Sequence, residues 1–436
     1  MGGMPTDSES PTPAAASATL TRRLPAKYGI WLAGSLISQL GDSALYFGLG
    51  WAASASGGSA AGLVLSAITL PRAALVLVGG VVGDRVGARK VLIIGDAVML
   101  VVALTLGMVA YHWGTPLPVL VAAGALIGTV DAFYVPSWGS MPRRLVGEQQ
   151  LTRALALRQG GSQLMRMIGG PLGGAVVALA GLAAAAWFDA ASFAVVLVVL
   201  IAIRPRFDAP PPARRESVLR ATVDGFRVAT RTPGLGPALL LVAGSAGFIV
   251  PSVSLLVPLL ARHHHWSSAV AGLIIGAQGV GVIAATLVIT WRGAQRPGLG
   301  AAAGLALTSI GQLLVAVVDP AAPAVACAVL IGLGSGTFVA NLAPVLLGTA
   351  PRTHLARVQS LLSLVQSAAL LITNNILGAI AHLASPPAAL LFCSFMLAGC
   401  TVIALTTPAL RHLEAPQRRH HPQLLDSRPG RGGKLS

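Results

Sequence analysis

Charge is what this sequence has least of. Only 10% of its 436 residues are Asp, Glu, Lys or Arg, against roughly 25% in an average soluble domain. A soluble fold of this length would bury a large core and still need a polar skin, and the polar side chains for that skin are missing. Aromatic residues are sparse as well, at 5%. Cysteine is nearly absent: Cys327, Cys393 and Cys400 all lie inside apolar runs, with neither metal-ligand spacing nor the look of a disulfide framework. There is no G-x-x-x-x-G-K-S/T loop, so ATP drive from this chain is not indicated. No cofactor is implied.

What is present is long apolar runs. Hydrophobic residues make up 54% of the chain, with Gly at 51 and Pro at 29, counts that break soluble helices but suit helices packed in lipid. About 20 apolar residues cross the hydrocarbon core, and twelve such runs are readable. Six fall near 30–53, 60–82, 90–110, 118–140, 155–180 and 184–203. Six more fall near 235–260, 268–290, 298–318, 324–347, 357–382 and 387–408. The expected fold is an all-α integral membrane protein of two pseudo-symmetric six-helix bundles. Its expected divisions are a disordered tail at 1–27, a bundle at 28–204, a basic linker at 205–234 containing APPPARRES, a second bundle at 235–410 and a tail at 411–436. The opening residues lack the apolar core of a signal peptide, so the first span is expected to act as the membrane-entry signal.

The net charge of +16 invites a nucleic-acid reading, but the basic residues sit in short clusters between the apolar runs rather than on one surface. With the N-terminus inside, all but three of the 30 Lys and Arg fall in the tails or the alternate loops on the same side. The exceptions are Arg72 and Arg166 within spans and Arg262 in an outer loop. That asymmetry places both termini in the cytoplasm.

Between the second and third spans the chain reads Gly80-Val-Val-Gly-Asp84-Arg85-Val-Gly87-Ala-Arg89-Lys90. Gly83 and Gly87 allow a tight turn, and the basic residues hold it at the cytoplasmic face. This segment resembles the signature of the major facilitator superfamily, G-x-L-a-D-r-x-G-r-k, at Gly80, Asp84, Arg85, Gly87 and Arg89, with Val82 for the usual Leu and Ala88 at the first basic position. The resemblance covers residues 28 to about 412. A narrower one, to the drug, macrolide and siderophore exporter branch, rests on Ser38-Gln-Leu-Gly41-Asp42, Asp131-Ala-Phe-Tyr-Val-Pro136, Gly170-Pro171-Leu-Gly173-Gly174 and Phe188-Asp189-Ala-Ala-Ser192-Phe193. The Gly170, Pro171, Gly173, Gly174 cluster approximates the antiporter signature G-P-x-x-G-G with one residue fewer. The second-half counterpart of the Asp-containing loop, Trp291-Arg292-Gly293-Ala-Gln-Arg296, carries no acid, so a gate there is expected to be asymmetric.

Ionisable residues inside spans cost on the order of 2.5–3.5 kcal/mol each at mid-depth. Four stand there, all in the first half: Asp42, Arg72, Asp131 and Arg166. Asp42 belongs to a stripe of Ser35, Ser38, Gln39, Asp42 and Tyr46 at helical spacing, expected to face a cavity or the bundle interior. Asp42 or Asp131 is a candidate proton carrier; the alternative is that the four form fixed ion pairs, Asp42–Arg72 with Asp131–Arg166 or the crossed set. Asp96 reads as a boundary charge, the alternative being a place in the Asp84 loop network, and Asp189, beside Trp187, reads as an interfacial cap. Three adjacent imidazoles cannot easily share one tetrahedral ion, so His263-His264-His265 reads as a solvated loop rather than a metal site. In the second half Gln278, Gln312, Asn341, Gln366, Asn374 and Asn375 line a cavity or bond between helices.

The expected protein is a secondary transporter, not an enzyme. As the resemblance implies, it is expected to export a small amphipathic organic compound by proton antiport through alternating access, as a monomer in the plasma (inner) membrane, with protons, substrate and the lipid bilayer as its partners. An uptake permease of the same fold is the alternative. A membrane-embedded enzyme is a distant third, because no cluster of His, Asp or Cys stands at a membrane face.

Overall fold

The computed structural model describes residues 24–203, 227, 235–293, 296–349 and 355–408. The expected tails (save residues 24–27) and the linker (save Arg227) lie outside the described residues.

Helix α1 spans Ala26–Ser54, α2 Gly58–Val86, α3 Ala88–Trp113 and α4 Leu117–Leu145. The next helical stretch, Glu148–Ala202, is 55 residues long, about 80 Å if continuous and far more than one crossing needs. It breaks at Ala180 (φ −148°, ψ 20°) and Gly181 (φ 70°, ψ −166°), leaving α5 at 148–179 and α6 at 182–202. Glycine enters that left-handed region without steric cost, so Gly181 lets two spans follow each other with almost no loop. Helix α7, at 235–263, is built from Leu235–Pro251, a π-turn at Ser252–Leu256 and Val257–His263. Pro251 has no N–H to give to the preceding turn, and the chain widens just after it. Then come α8 Ser268–Arg292, α9 Pro297–Val317, α10 Ala321–Thr349, α11 Leu355–Leu383 and α12 Pro386–Thr406.

These helices coincide with the twelve expected spans, differing mainly in being longer at their ends. Among the described residues ten helices are long and apolar enough to cross a membrane; Glu148–Ala202 is one of them, and α1 is not. Ser35, Ser38, Gln39 and Asp42 dilute the hydropathy of α1. Within lipid each helix satisfies its own backbone, and exposed side chains such as Leu179, Leu383 and Phe395 face outward. Trp113 and Trp291, both exposed, mark opposite ends of the bundle, where amphipathic rings prefer to sit.

The packing repeats between halves. In the first half α2 lies on α4; in the second α8 lies on α10. The halves meet along two matching seams, α5 on α8 and α2 on α11, pairs that exchange when helix n is mapped onto helix n+6. Both seams are lined with small residues, which let backbones approach closely. On the first, a Cβ at Gly174 would stand 2.5 Å from Ser268 O, and one at Gly272 2.5 Å from Gly170 O. On the second, a Cβ at Gly62 would stand 2.6 Å from Asn374 O, and one at Gly378 2.6 Å from Gly58 O.

These contacts gather at one end of the molecule, the end carrying the α1–α2 and α7–α8 turns. Ser268 Oγ donates to Gly174 O at 3.1 Å, and Asn375 Nδ2 donates to Ser66 Oγ at 2.8 Å. At the opposite, basic end Gly80 and Gly160 have open space where a side chain would point. The two halves touch along both seams at the charge-poor end, and toward the basic end the α5–α8 seam parts around a cavity.

Candidate functional site

Four carboxyl groups converge inside the first half. Asp42 on α1 has Asp189 of α6, Asp131 of α4 and Asp96 of α3 within electrostatic reach. Arg72 of α2 approaches this cluster: its Nη1 lies 3.9 Å from Asp131 Oδ2. Tyr46, one helical turn after Asp42 on α1, donates its hydroxyl to the same oxygen at 2.6 Å. The pair is not sealed, since the Arg72 side chain is 50% exposed and that of Asp131 21%. Among the described residues Arg72–Asp131 is the one pairing formed of the four left open by the sequence. Arg166 bonds only a neutral neighbour on its own helix, Gln163 Oε1 at 2.8 Å.

Asp96 and Asp189 correct the sequence reading. Neither is a boundary group: both are fully buried, at 0% exposure. Helix α3 begins at Ala88, which puts Asp96 more than two turns inside it. Asp189 is lodged against Gly41, where a Cβ would stand 2.5 Å from Asp189 Oδ1. Ser192 Oγ donates to Asp189 O at 2.7 Å and lies 3.1 Å from Oδ1. Among the described residues Asp189 Oδ2 and both Asp96 oxygens have no hydrogen-bond partner, although the Tyr134 hydroxyl neighbours Asp96. On the stripe of α1, Ser35 and Ser38 are buried and Gln39 Nε2 is buried without a partner.

The signature turn joins α2 to α3 at Gly87, whose φ of 97° suits glycine. Gly83 lets α2 approach α4, where a Cβ would stand 2.7 Å from Ser137 Oγ. Arg89 reaches across to the end of α6, donating from Nε to Leu200 O and from Nη2 to Ile201 O, both at 2.9 Å. A cation at a helix C-terminus meets the negative end of its dipole and satisfies carbonyls left over there. Asp84 and Arg85 stand exposed at the parted end, and Gly80 faces open space.

The Gly170, Pro171, Gly173, Gly174 cluster is split between two partners. Gly170, Pro171 and Gly174 face α8, whereas Gly173 and Gly169 face α1 at Ala44 and Ser43. Beyond this contact α5 and α8 separate around a cavity of about 690 Å³, lined by Gln159, Gln163 and Arg166 of α5, Thr286 of α8 and Ser335 of α10. The volume is within the range of small-molecule sites.

Of the polar residues expected in the second half, several hold helices together. Asn341 is buried, donates to Thr337 O at 2.8 Å on its own helix and packs against Gly300. Gln312 donates to Phe248 O at 3.1 Å, joining α9 to α7. Asn374 is buried with Oδ1 unpaired at the α2–α11 seam. Gln278 presses its backbone on Gly332. Gln366 is half-buried on α11.

A residue the site reading passed over closes the charge-poor end. Arg262 of α7 donates from Nε to Ser54 Oγ at 2.7 Å and from Nη2 to Trp51 O at 2.8 Å, and its guanidinium lies 4.4 Å from the Trp51 ring centre. It clamps the second half to the end of α1. A signal for it existed: Arg262 is the one Lys or Arg that the charge asymmetry leaves on this side. Nearby, His264 stacks on Trp266 with ring centres 4.8 Å apart, and its Nδ1 lies 3.7 Å from Asp319 Oδ1. Burial, and then the adjacent His263, hold its imidazole below the ordinary range. Among the described residues no three His, Cys, Asp or Glu side chains converge on a metal position.

Two six-helix halves in contact at one end, with a cavity of amphipathic lining between them toward the other, are the architecture of a membrane transporter. The family model of the Major Facilitator Superfamily matches residues 31–298 and 239–430, and the chain belongs to that family. It is similar to the Enterobactin exporter EntS of Citrobacter koseri, 30% identical over 215 residues, or 48% of this chain and 50% of that protein. It is likewise 29% identical over 226 residues to the Enterobactin exporter EntS of Shigella boydii serotype 4, covering 50% and 52% of the two chains. The chain thus spans about half the length of the curated relatives it matches. Among solved structures, a bacterial homologue of the human lysosomal transporter Spinster, inward-facing and unoccupied, shares the fold with a TM-score of 0.69 at 12% identity, over 89% of this chain and 97% of that one. A peptide transporter POT gives 0.70 at 15% identity, over 93% and 100%.

Proposed function

We propose that this transporter exports a small amphipathic organic compound from the cytoplasm, siderophore-like or drug-like, in exchange for protons. The observation that carries the reading is the pairing of contact between the halves at the charge-poor end with a cavity in the α5–α8 seam nearer the basic end. Basic loops mark the cytoplasmic side, so the arrangement is that of a carrier waiting for cargo from within, in the plasma membrane with both termini inside. The likeness to enterobactin exporters supports the outward direction.

Coupling to protons follows from the charge inventory. Asp42 has Asp96, Asp131 and Asp189 within electrostatic reach, and Arg72 pairs with one of the four, Asp131. A bare carboxylate is costly in a bundle surrounded by lipid, so an acid that loses its guanidinium takes up a proton. Asp131 is the switch: it exchanges Arg72 and the Tyr46 hydroxyl for a proton as the halves rock about the seams. The test is efflux of a panel of lipophilic dyes and antibiotics from cells expressing the chain, with and without a protonophore. Asp131→Asn and Asp42→Asn are run alongside Asp96→Asn and Asp189→Asn. Protonophore-sensitive export, abolished in an Asn variant that still inserts and folds, is the expected result. Inward accumulation would replace export with uptake, and protonophore-insensitive movement would remove the proton.

A further inference from the structure

The α5–α8 seam has a simple antiparallel register, and its continuation locates a second feature. Gly174 lies against Ser268, Gly170 against Gly272, Pro171 against Gly276 and Met167 against Gly279. The next steps of that register would set Gln163 against Val282 and Gly160 against Thr286. There the helices part instead: these residues line the 690 Å³ cavity, and Gly160 meets nothing within 4 Å. Arg166 stands where contact gives way to space. Among the described residues its one hydrogen-bond partner is the neutral Gln163, three residues away on α5, whereas Arg72 has Asp131. A cation placed in a membrane span with no counter-ion is costly to maintain and marks a position whose counter-ion arrives with a ligand. The opposite wall is apolar (Val282, Ile283 and Leu287 on α8), with Thr286 and Ser335 supplying hydroxyls.

We propose that this cavity is a binding site for an amphipathic anion, whose negative group is held by Arg166 and Gln163 while its apolar body lies on α8. The site deepens the export reading, on which it rests, by naming the charge of the cargo. Removing Arg166 therefore weakens anionic ligands and leaves neutral ligands of the same shape untouched.

The experiment uses the full chain in phosphatidylcholine nanodiscs and a matched pair of fluorescent probes, anilinonaphthalenesulfonate and the uncharged N-phenylnaphthylamine, each corrected for empty nanodiscs. Arg166→Gln is expected to weaken the sulfonate about tenfold or more, the scale of one lost charge-assisted hydrogen bond, with N-phenylnaphthylamine changed less than about twofold. Arg166→Lys keeps the charge and is expected to retain most of the sulfonate affinity. Equal sulfonate affinity in wild type and Arg166→Gln would overturn the site, as would Gln and Lys variants that lose both probes together. A parallel set in nanodiscs containing phosphatidylglycerol separates the source of the anion. If that lipid erases the Arg166-dependent advantage of the sulfonate, the cavity holds a lipid headgroup and the small-molecule proposal fails. Equilibrium binding depends on neither direction nor protons, so the export reading and this one can fail separately.

Discussion

Asp131 and Arg72 show how a pair can be both structural and functional. At 3.9 Å and half exposed on the arginine side, the pair is weaker than a sealed one, whose rupture costs about 3–5 kcal/mol. Asp131→Asn is expected to destabilise the protein by roughly 1–2 kcal/mol, because partial exposure lets water compensate Arg72; chemical unfolding in detergent measures it. The double variant Arg72→Gln/Asp131→Asn should recover stability without recovering proton-coupled export. Recovery of both would make the pair a scaffold and move coupling to another acid. Asp189→Asn should behave differently, since Ser192 bonds mainly to the backbone carbonyl there. Its stability should be unchanged or higher, read from the same unfolding curve. The sequence exposed Asp42, Arg72, Asp131 and Arg166 because charges stand out in an apolar run. It did not disclose which of them meet, since that depends on how α2 and α4 are rotated in the bundle. Asp96 and Asp189 were misplaced for a related reason: position within a run says little about depth when helices overrun the bilayer.

At the level of elements, the helices were legible almost in full. Gly181, Gly87 and Gly57 each adopt positive φ at a turn between spans, and the apolar runs ended where they stand. What the runs could not convey is that the same small residues form two equivalent seams, because pairing between distant helices leaves no local period. Gly174→Val would drive a branched side chain into Ser268 O and Gly272 and is expected to prise α5 from α8. The Arg262 clamp acts at the same end, and Arg262→Ala removes two hydrogen bonds and a stacked ring worth together about 1–3 kcal/mol. Spin labels replacing Trp113 and Leu383, one on each half, should show a longer distance component in both variants. An unchanged distribution would mean that the seams close without either contact.

For the whole molecule the decisive quantity is sidedness. Lys and Arg cluster at the end nearer the cavity between α5 and α8. A cysteine replacing Trp113 should react with an impermeant maleimide added to intact cells, and one replacing Trp291 should react only after lysis. The opposite pattern would invert the topology and turn the parted end outward. The fold at this scale was readable from twelve apolar runs. The direction in which the halves are tilted was not, since one sequence serves both states of the cycle.

The clamp at the closed end carries one more implication. Arg262 rests on a hydroxyl, a carbonyl oxygen and an indole ring, none of which bears a formal charge. Mobile ions weaken attraction between opposite charges but have little purchase on dipoles and ring faces in contact. A lid fastened this way should hold equally well in fresh water and in brine. Raising external salt from about 0.05 M to about 0.5 M, which shortens the screening length roughly threefold, should leave the 113–383 label distances unmoved. The protein would then keep that door shut through osmotic change.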